Sequence, residues 1–330
     1  MKILITGGCG FIGSNFIRYM LKNTEHEIIN LDAMTYSGNS DNLKDIEKDE
    51  RYRFIHGRIE DKKLVSELLA DVDGLVNFAA ESHVDRSILD PRPFIVTNIE
   101  GTQTLLEASR HSDIKKFVHI STDEVYGELG ETGKFTEYLP LLPNSPYAAS
   151  KACADLLIRA YHETYGLAVV TARPSNNYGY YQYPEKFIPL TITNLLENKP
   201  IPVYGEGKNI RDWIFVEDCC AGIAAILERG KTGEVYNVGG ESEKRNIDIV
   251  KIILKLLGKG NSYIKFVKDR PGHDYRYALD NTKIKKELGW APKVNLETGL
   301  AKTVEWYKNN TAWWKPLKEK LSRENKGFWS

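Results

Sequence analysis

The sequence predicts a doubly wound parallel α/β fold followed by a smaller C-terminal α/β domain. Three observations predict it: strand–helix alternation in the first half, a glycine-rich loop at the first junction, and a change of rhythm after residue 174. Short β-branched runs fall at 2–6 (KILIT), 27–32 (EIINLD), 53–56 (RFIH), 74–79 (GLVNFA), 116–121 (KFVHIS) and 168–173 (AVVTAR). Between them, GSNFIRYMLKN and NIEGTQTLLEASRHS carry apolar residues at helical spacing. Repeated strand–helix–strand units cross over right-handedly and build a parallel sheet covered on both faces. After 174 comes RPSNNYGYYQYPEKFIP, rich in Pro, Asn and Tyr as a binding loop would be. Two helical patterns (LTITNLLENK, EDCCAGIAAILERG), a strand-like GEVYNVGG and a Pro/Gly-broken KDRPGHDYRYALD follow. The expected domains are 1–174 and 175–330, the second returning a strand or helix to the first.

The bulk numbers exclude several classes. Lys+Arg and Asp+Glu balance at 45 each, so no global field draws in nucleic acid or an anionic membrane. Any anionic ligand must be held by local positive charge. Cys9, Cys153, Cys219 and Cys220 lack metal-ligand spacing, and free thiols suit a reducing cytosol. No apolar run approaches membrane-spanning length, and strand-like sequence from Lys2 leaves no room for a signal peptide, so a cytoplasmic protein is expected. The tail AWWKPLKEKLSRENKGFWS reads as aromatic docking onto the body in preference to a membrane-surface helix.

ITGGCGFIGSNF follows the first strand and opens the first helix. Gly8, Gly10 and Gly13 satisfy G-x-G-x-x-G, and Gly7 extends it to G-x-x-G-x-x-G. The spacing serves a tight turn, close approach to a pyrophosphate and helix–strand packing, with the phosphates on the helix N-terminus. Asp32 ends the second strand nineteen residues after Gly13, placed to accept from an adenosine ribose 2′-OH. That carboxylate repels a 2′-phosphate, so NAD is expected over NADP.

Tyr147 and Lys151 in SPYAASKACADLL stand four apart at a helix start, on one face. An ammonium beside a phenol favours the phenolate, which suits removal of a hydroxyl proton as hydride leaves the same carbon. Tyr204 and Lys208 repeat the spacing, but among glycines that deny them a helical face. In HISTDEVYG, neighbouring Asp123 and Glu124 follow a strand. Both face one ligand only if the backbone leaves β conformation near Thr122, since strand side chains alternate. Mutual repulsion raises the pKa of one carboxyl, so one member can stay protonated beside an ionised neighbour.

Together TGGCGFIGSNF, NFAAESHVDRS, HISTDEVYG, SPYAASKACAD, RPSNNYGYYQYPEKFIP, NIRDWIFVED and RPGHDYRYALD resemble the dTDP-glucose 4,6-dehydratase family, from Met1 to about Trp314. That family lies within the extended short-chain dehydrogenases/reductases, built on a Rossmann-type sheet. The resemblance implies an NAD-dependent lyase of deoxysugar biosynthesis, such as that of rhamnose, acting on dTDP-glucose as a homodimer. Its dimer helices match residues 94–111 and 147–165. By this resemblance Tyr147 is the base for C4 oxidation, Asp123 and Glu124 are acid and base of water elimination, and Thr122 assists at the C4 oxygen. Matched cofactor positions are Gly7, Gly10, Phe11, Ile12, Gly13, Asp32, Thr35, Arg58, Ile59, Ala79, Ala80, Asn98, Ser121, Tyr147, Lys151 and Asn177. Matched substrate positions are Ser82, Thr122, Asn176, Lys186, Tyr204, Arg211, Asn246, Arg270 and His273. Two departures stand out: Arg58 replaces the family's usual Asp near the adenine, and Tyr180 replaces a commoner Pro.

Three alternatives stay open. A dehydratase for another nucleotide sugar, such as UDP-glucose, would use the same catalytic residues. An epimerase or decarboxylase needs the Tyr–Lys pair but not both carboxylates. A dinucleotide-sensing module would need none of the catalytic set.

Overall fold

The computed structural model describes residues 1–324. Its strands are β1 (Lys2–Thr6), β2 (Glu27–Asp32), β3 (Tyr52–His56), β4 (Gly74–Asn77), β5 (Lys116–Ile120), β6 (Val169–Pro174), β7 (Asn176–Tyr178), β8 (Ile201–Tyr204), β9 (Ile210–Phe215), β10 (Val235–Val238), β11 (Glu243–Arg245) and β12 (Ile264–Val267). Seven of them form one sheet in the order β10-β6-β5-β4-β1-β2-β3. Every neighbouring pair in it is parallel.

Burial explains the composition of these strands. Ile3 and Ile5 join one core with Phe16, Ile17, Ile223 and Ile226 of the helices Phe11–Asn23 and Val216–Arg229. Leu4 points the other way, to Val65, Leu105 and Ile158 of Lys62–Leu69, Thr102–Arg110 and Pro146–Tyr165. A strand buried on both faces must be apolar at every position, and KILIT is nearly so. Strand order reverses between β1 and β4, which opens a crevice beyond their C-terminal ends.

A buried polar line runs across those ends. Thr6 donates to Asn77 at 2.6 Å, and the Asn77 amide meets His119 at 3.3 Å. Arg173 pairs with Asp155 at 2.8 Å and donates to the Tyr126 hydroxyl at 2.8 Å. The line is not fully satisfied, since His119 Nε2 and Asp155 Oδ1 face each other at 3.8 Å with no hydrogen-bond partner among the described residues.

Beyond β6 a second core gathers around Tyr178, Ile192, Phe215, Ile253, Leu300 and Tyr307. It lies among the sheet β11-β9-β7, the pair β12-β8 and helices Phe187–Leu196, Asn246–Leu256 and Leu296–Asn309. GEVYNVGG supplies β10, which pairs parallel with β6, so the later chain does lend a strand to the first sheet.

The tail forms a helix, Thr311–Glu324, that docks by its aromatics. Trp314 is buried and donates to the Tyr307 carbonyl at 2.8 Å, and Trp313 donates to Asn42 at 2.9 Å. The third tryptophan of that segment, Trp329, lies outside the described residues. Among the described residues no helix is long and apolar enough to cross a membrane.

Candidate active site

The glycine loop comes first. Gly7 has φ 71°, and a Cβ there would sit 2.5 Å from the Ala79 nitrogen. That approach explains why β4 stops at Asn77, two residues short of expectation: 78–80 cross directly over Gly7. The loop is tied to β2, with Gly8 N donating to Asn30 Oδ1 at 3.1 Å and Cys9 N to Asp32 Oδ2 at 2.8 Å. Gly10 then opens the helix Phe11–Asn23 with no side-chain cap, leaving first-turn N–H groups for an anion.

A groove runs from this loop to the start of the helix Pro146–Tyr165. Gly7, Gly10, Phe11, Ile12 and Gly13 line its phosphate end, and Asp32, Thr35, Arg58 and Ile59 the end beyond β2 and β3. Ala79, Ala80, Ser82, Ser121, Tyr147, Lys151 and Lys186 line the other end. Asp32 accepts from Cys9 N and from Met34 N at 2.7 Å, which still leaves lone pairs for a ribose. Burial pushes its carboxyl up, against those two N–H groups. Arg58 lies 3.8 Å from Glu60 and is largely exposed. An uncapped helix end, a glycine cradle and a carboxylate at the end of β2 fit a dinucleotide.

Two expected cofactor residues stand behind the wall. Asn98 is buried, braces both backbone groups of Glu81 and donates to Ser150 at 2.8 Å. Asn177 donates to the Ser175 carbonyl at 2.9 Å.

Substituting Gly13 by Ala would set a Cβ 2.4 Å from the Gly7 oxygen and 2.9 Å from Gly8 Cα, both backbone. The cradle must then open. Dinucleotide content of the purified Gly13→Ala protein, measured by chromatography after denaturation, is expected to fall by about tenfold or more.

Ser145 caps the helix Pro146–Tyr165 by accepting from Ala148 N at 3.1 Å, with Pro146 at its first position. Tyr147 and Lys151 therefore sit one turn apart. Lys151 Nζ donates to the Ile120 carbonyl at 2.6 Å, and burial pulls its pKa down to about 8. The expected lowering of the Tyr147 phenol is not met. Burial pushes it well up, and the Glu124 carboxylate adds to this, against a hydrogen bond with Thr122. The ammonium is held at the end of β5, and desolvation of the phenol outweighs it.

β5 ends at Ile120, and Asp123–Tyr126 turn as a 3₁₀ helix. Thr122 is still extended (φ −155°, ψ 155°), and the backbone leaves β conformation at Asp123, so the two carboxylates do not alternate as on a strand. Thr122 accepts from Glu124 N at 3.3 Å, donates to Asp123 Oδ1 at 3.2 Å, and lies close enough to the Tyr147 phenol to bear on its pKa. Asp123 is buried, its Oδ2 without a hydrogen-bond partner among the described residues. Burial, then Glu124 and Asp212, drive its pKa well above the carboxylate range. Glu124 is half-buried. Burial raises it too, but Arg270, Arg211 and Lys186 oppose the rise. The neighbouring carboxyls thus split into a protonated member and one closer to ionisation.

A stability consequence follows. Below the unfolded carboxyl pKa of about 4, Asp123 is protonated in both states and costs nothing. As pH rises, the unfolded chain ionises while the folded one holds its proton, so stability is lost until the folded pKa is passed. Asp123→Asn is expected to raise the apparent Tm, with a gain that grows between pH 4 and 8 and reaches about 2 °C or more in a scanning calorimeter.

The cations of the substrate end come from the later chain. Arg211 does not pair with Asp212; it donates to the Ile210 and Asp274 carbonyls at 2.7 and 2.9 Å and stacks 4.2 Å over Tyr277. His273 meets Asp269 at 2.6 Å, and burial pushes it down to about 4. Lys186 Nζ donates to the Ser82 carbonyl at 2.8 Å. Asn176 and Asn246 each bury an Oδ1 that has no hydrogen-bond partner among the described residues. Tyr180 packs edge-on against Phe215 at 5.5 Å.

Sequence reasoning passed over Tyr36, Glu81, Arg86 and Glu185. Arg86 stacks 3.9 Å over the Tyr36 ring and donates to Glu185 at 3.3 Å, joining the two halves of the chain across the groove. The signal was present in AAESHVDRS and YYQYPEK, but no spacing marks which of those charges meet.

A Tyr–x₃–Lys helix start beside a dinucleotide cradle defines the class: an extended short-chain dehydrogenase/reductase. Comparison with known proteins narrows it. The family described as GDP-mannose 4,6 dehydratase matches residues 4–303. The chain is 51% identical over 323 residues to the dTDP-glucose 4,6-dehydratase of Streptomyces niveus, covering 96% of each. Among solved structures it is similar to DesIV, a dTDP-glucose 4,6-dehydratase from Streptomyces venezuelae with NAD and TYD bound. The TM-score is 0.94 at 51% identity, over 96% of this chain and 100% of that one. A UDP-glucuronic acid 4-epimerase from Bacillus cereus is more distant, at TM-score 0.89 and 34% identity over 94% and 99% of the chains. The chain belongs to the nucleotide-sugar 4,6-dehydratase family, with the dTDP-glucose 4,6-dehydratases.

Proposed function

We propose that the protein dehydrates dTDP-glucose to dTDP-4-keto-6-deoxyglucose, with NAD as a resident cofactor. The observation that carries this reading is Thr122, hydrogen-bonded to Asp123 and close enough to Tyr147 to bear on its pKa, with Glu124 next in line. An epimerase needs the phenol but has no work for two carboxyls.

NAD held by Gly7, Gly10, Gly13 and Asp32 would supply a hydride store between C4 and C6 of the hexose and a positive ring that favours the Tyr147 phenolate. Tyr147 removes the O4 proton, with Thr122 fixing that oxygen. The resulting C4 ketone acidifies C5, whose proton passes to Glu124. Asp123, kept protonated by burial, donates to the departing C6 oxygen. Thr122 donates to Asp123 and lies near Tyr147, so the proton collected from O4 has a short path to restore the acid. Glu124 then returns its proton to C5, and every group ends as it began. The local cations Lys186, Arg211 and Arg270, with Asn176, Asn246, Tyr204 and His273, hold the nucleoside diphosphate that a neutral chain could not otherwise attract.

The same reading extends to a cytoplasmic homodimer joined through residues 94–111 and 147–165. Ile95, Leu156 and Tyr165 are exposed on those helices, which supports it.

C4-deuterated dTDP-glucose tests the reaction. Deuterium at C6 of a 6-deoxy product supports the dehydratase, whereas deuterium kept at C4 with inverted configuration means epimerisation. A parallel run with UDP-glucose compares kcat/KM and settles the nucleotide.

A further inference from the structure

The short helix Val84–Leu89 makes bonds in three directions. Arg86 holds Glu185, as described. Ser87 Oγ accepts from Tyr147 N at 3.1 Å and so fixes the start of the catalytic helix. Asp85 reaches the substrate end: Oδ1 accepts from Arg270 Nη1 at 3.2 Å, and Oδ2 accepts from the Tyr204 hydroxyl at 2.9 Å.

An acid beside these groups needs a reason. It subtracts charge from a cation that faces an incoming diphosphate, so on electrostatics alone it weakens binding. Its return is geometric. Tyr204 ends β8 opposite Val267 of β12, and Arg270 follows three residues later in the Pro/Gly-broken segment 268–280, beyond the last strand pair, so the pairing sets Tyr204 but leaves the Arg270 side chain to be placed by its own contacts. One carboxylate, each oxygen taking one donor, holds both against the helix that also anchors Tyr147. Arg270 keeps a buried Nε with no hydrogen-bond partner among the described residues, a donor left for an outside acceptor. Its charge also bears on Glu124.

We propose that Asp85 is a positioning residue, which orients Arg270 and Tyr204 for the nucleoside diphosphate of the substrate and ties that orientation to the helix carrying Tyr147. The inference rests on the function proposed above. Asn at 85 keeps the shape but loses the charge that holds Arg270, and it meets Tyr204 only if the phenol turns from donor to acceptor, so both tethers are weakened.

The test uses the full chain loaded with NAD. For Asp85→Asn, Kd for dTDP by calorimetry and KM for dTDP-glucose are each expected to rise about tenfold, with kcat within about threefold. Apparent Tm and NAD content should match the unaltered protein. Tyr204→Phe alone should raise KM several-fold, yet add less than about twofold on the Asp85→Asn background, because both act through one tether. Tighter dTDP binding by Asp85→Asn would overturn the proposal, since Asp85 would then merely compete for Arg270. Unchanged Kd and KM, or losses in KM and kcat alike with a fall in Tm, would also overturn it. Should Asp85→Asn not fold, Asp85→Glu keeps both acceptors on a longer stem and must still move KM rather than kcat. If the unaltered chain binds dTDP with this dependence but turns over no dTDP-glucose, the proposed function fails and the positioning role stands.

Discussion

Glu124→Gln is expected to lower kcat for dTDP-glucose by about 10²–10⁴-fold, the range of a lost general base. The amide keeps the size of the side chain and its place among Arg270, Arg211 and Lys186, but it cannot take the C5 proton. In the proposed mechanism oxidation at C4 uses Tyr147 and Thr122, so it should still proceed. A single-turnover experiment should therefore show the absorbance of reduced nicotinamide rise and persist. Solvent deuterium should not enter C5, because exchange needs the base. The contrast with Asp123→Asn is sharp: there the base survives, C5 exchanges, and the C6 oxygen stays. Normal turnover by Glu124→Gln would remove this residue from the mechanism, and rapid C5 exchange would move the base elsewhere.

Tyr147→Phe is expected to act one step earlier, with a loss of about 10²–10⁴-fold in kcat and no nicotinamide reduction. The ring is buried and packs edge-on against Phe94 at 6.3 Å, so phenylalanine keeps the packing and removes only the hydroxyl. Binding of dTDP depends on cations from the later chain and should stay within about threefold, as expected when an interaction made only in the transition state is lost. The pH profile gives a second check. Activity requires Lys151 charged beside the phenol, so it should be lost as pH rises through a lysine pKa of about 8. Tyr147→Phe should leave only residual activity whose profile lacks that limb. A Tyr147→Phe protein that reduces its nicotinamide at the unaltered rate would place the C4 base on another residue.

Much of this was legible from local pattern. The two-sided burial of β1 shows as an apolar run, and a parallel sheet covered by helices on both faces follows from strand–helix alternation. The cradle is legible for a similar reason. Gly7 and Gly13 are constrained by backbone a few ångströms away, which leaves a mark on residue type that no distant contact can alter. The helical offset of Tyr147 and Lys151 is likewise a property of four consecutive residues.

The site's electrostatics belong to the tertiary structure. Lys151 was expected to lower its neighbour's pKa, yet the lysine donates to Ile120 on another element and burial of the phenol dominates. Arg211 sits beside Asp212 in sequence, but successive strand residues face opposite ways, and the two side chains find different partners. Asp85 meets Arg270 across 185 residues. The sequence by itself determined the sheet and the dinucleotide cradle, because those depend on short-range periodicity and backbone sterics, whereas the roles proposed for Thr122, Asp123, Glu124 and Tyr147 came from resemblance. Which charges face one another, and hence which carboxyl keeps its proton, was decided only when the later chain folded its cations over the end of β5.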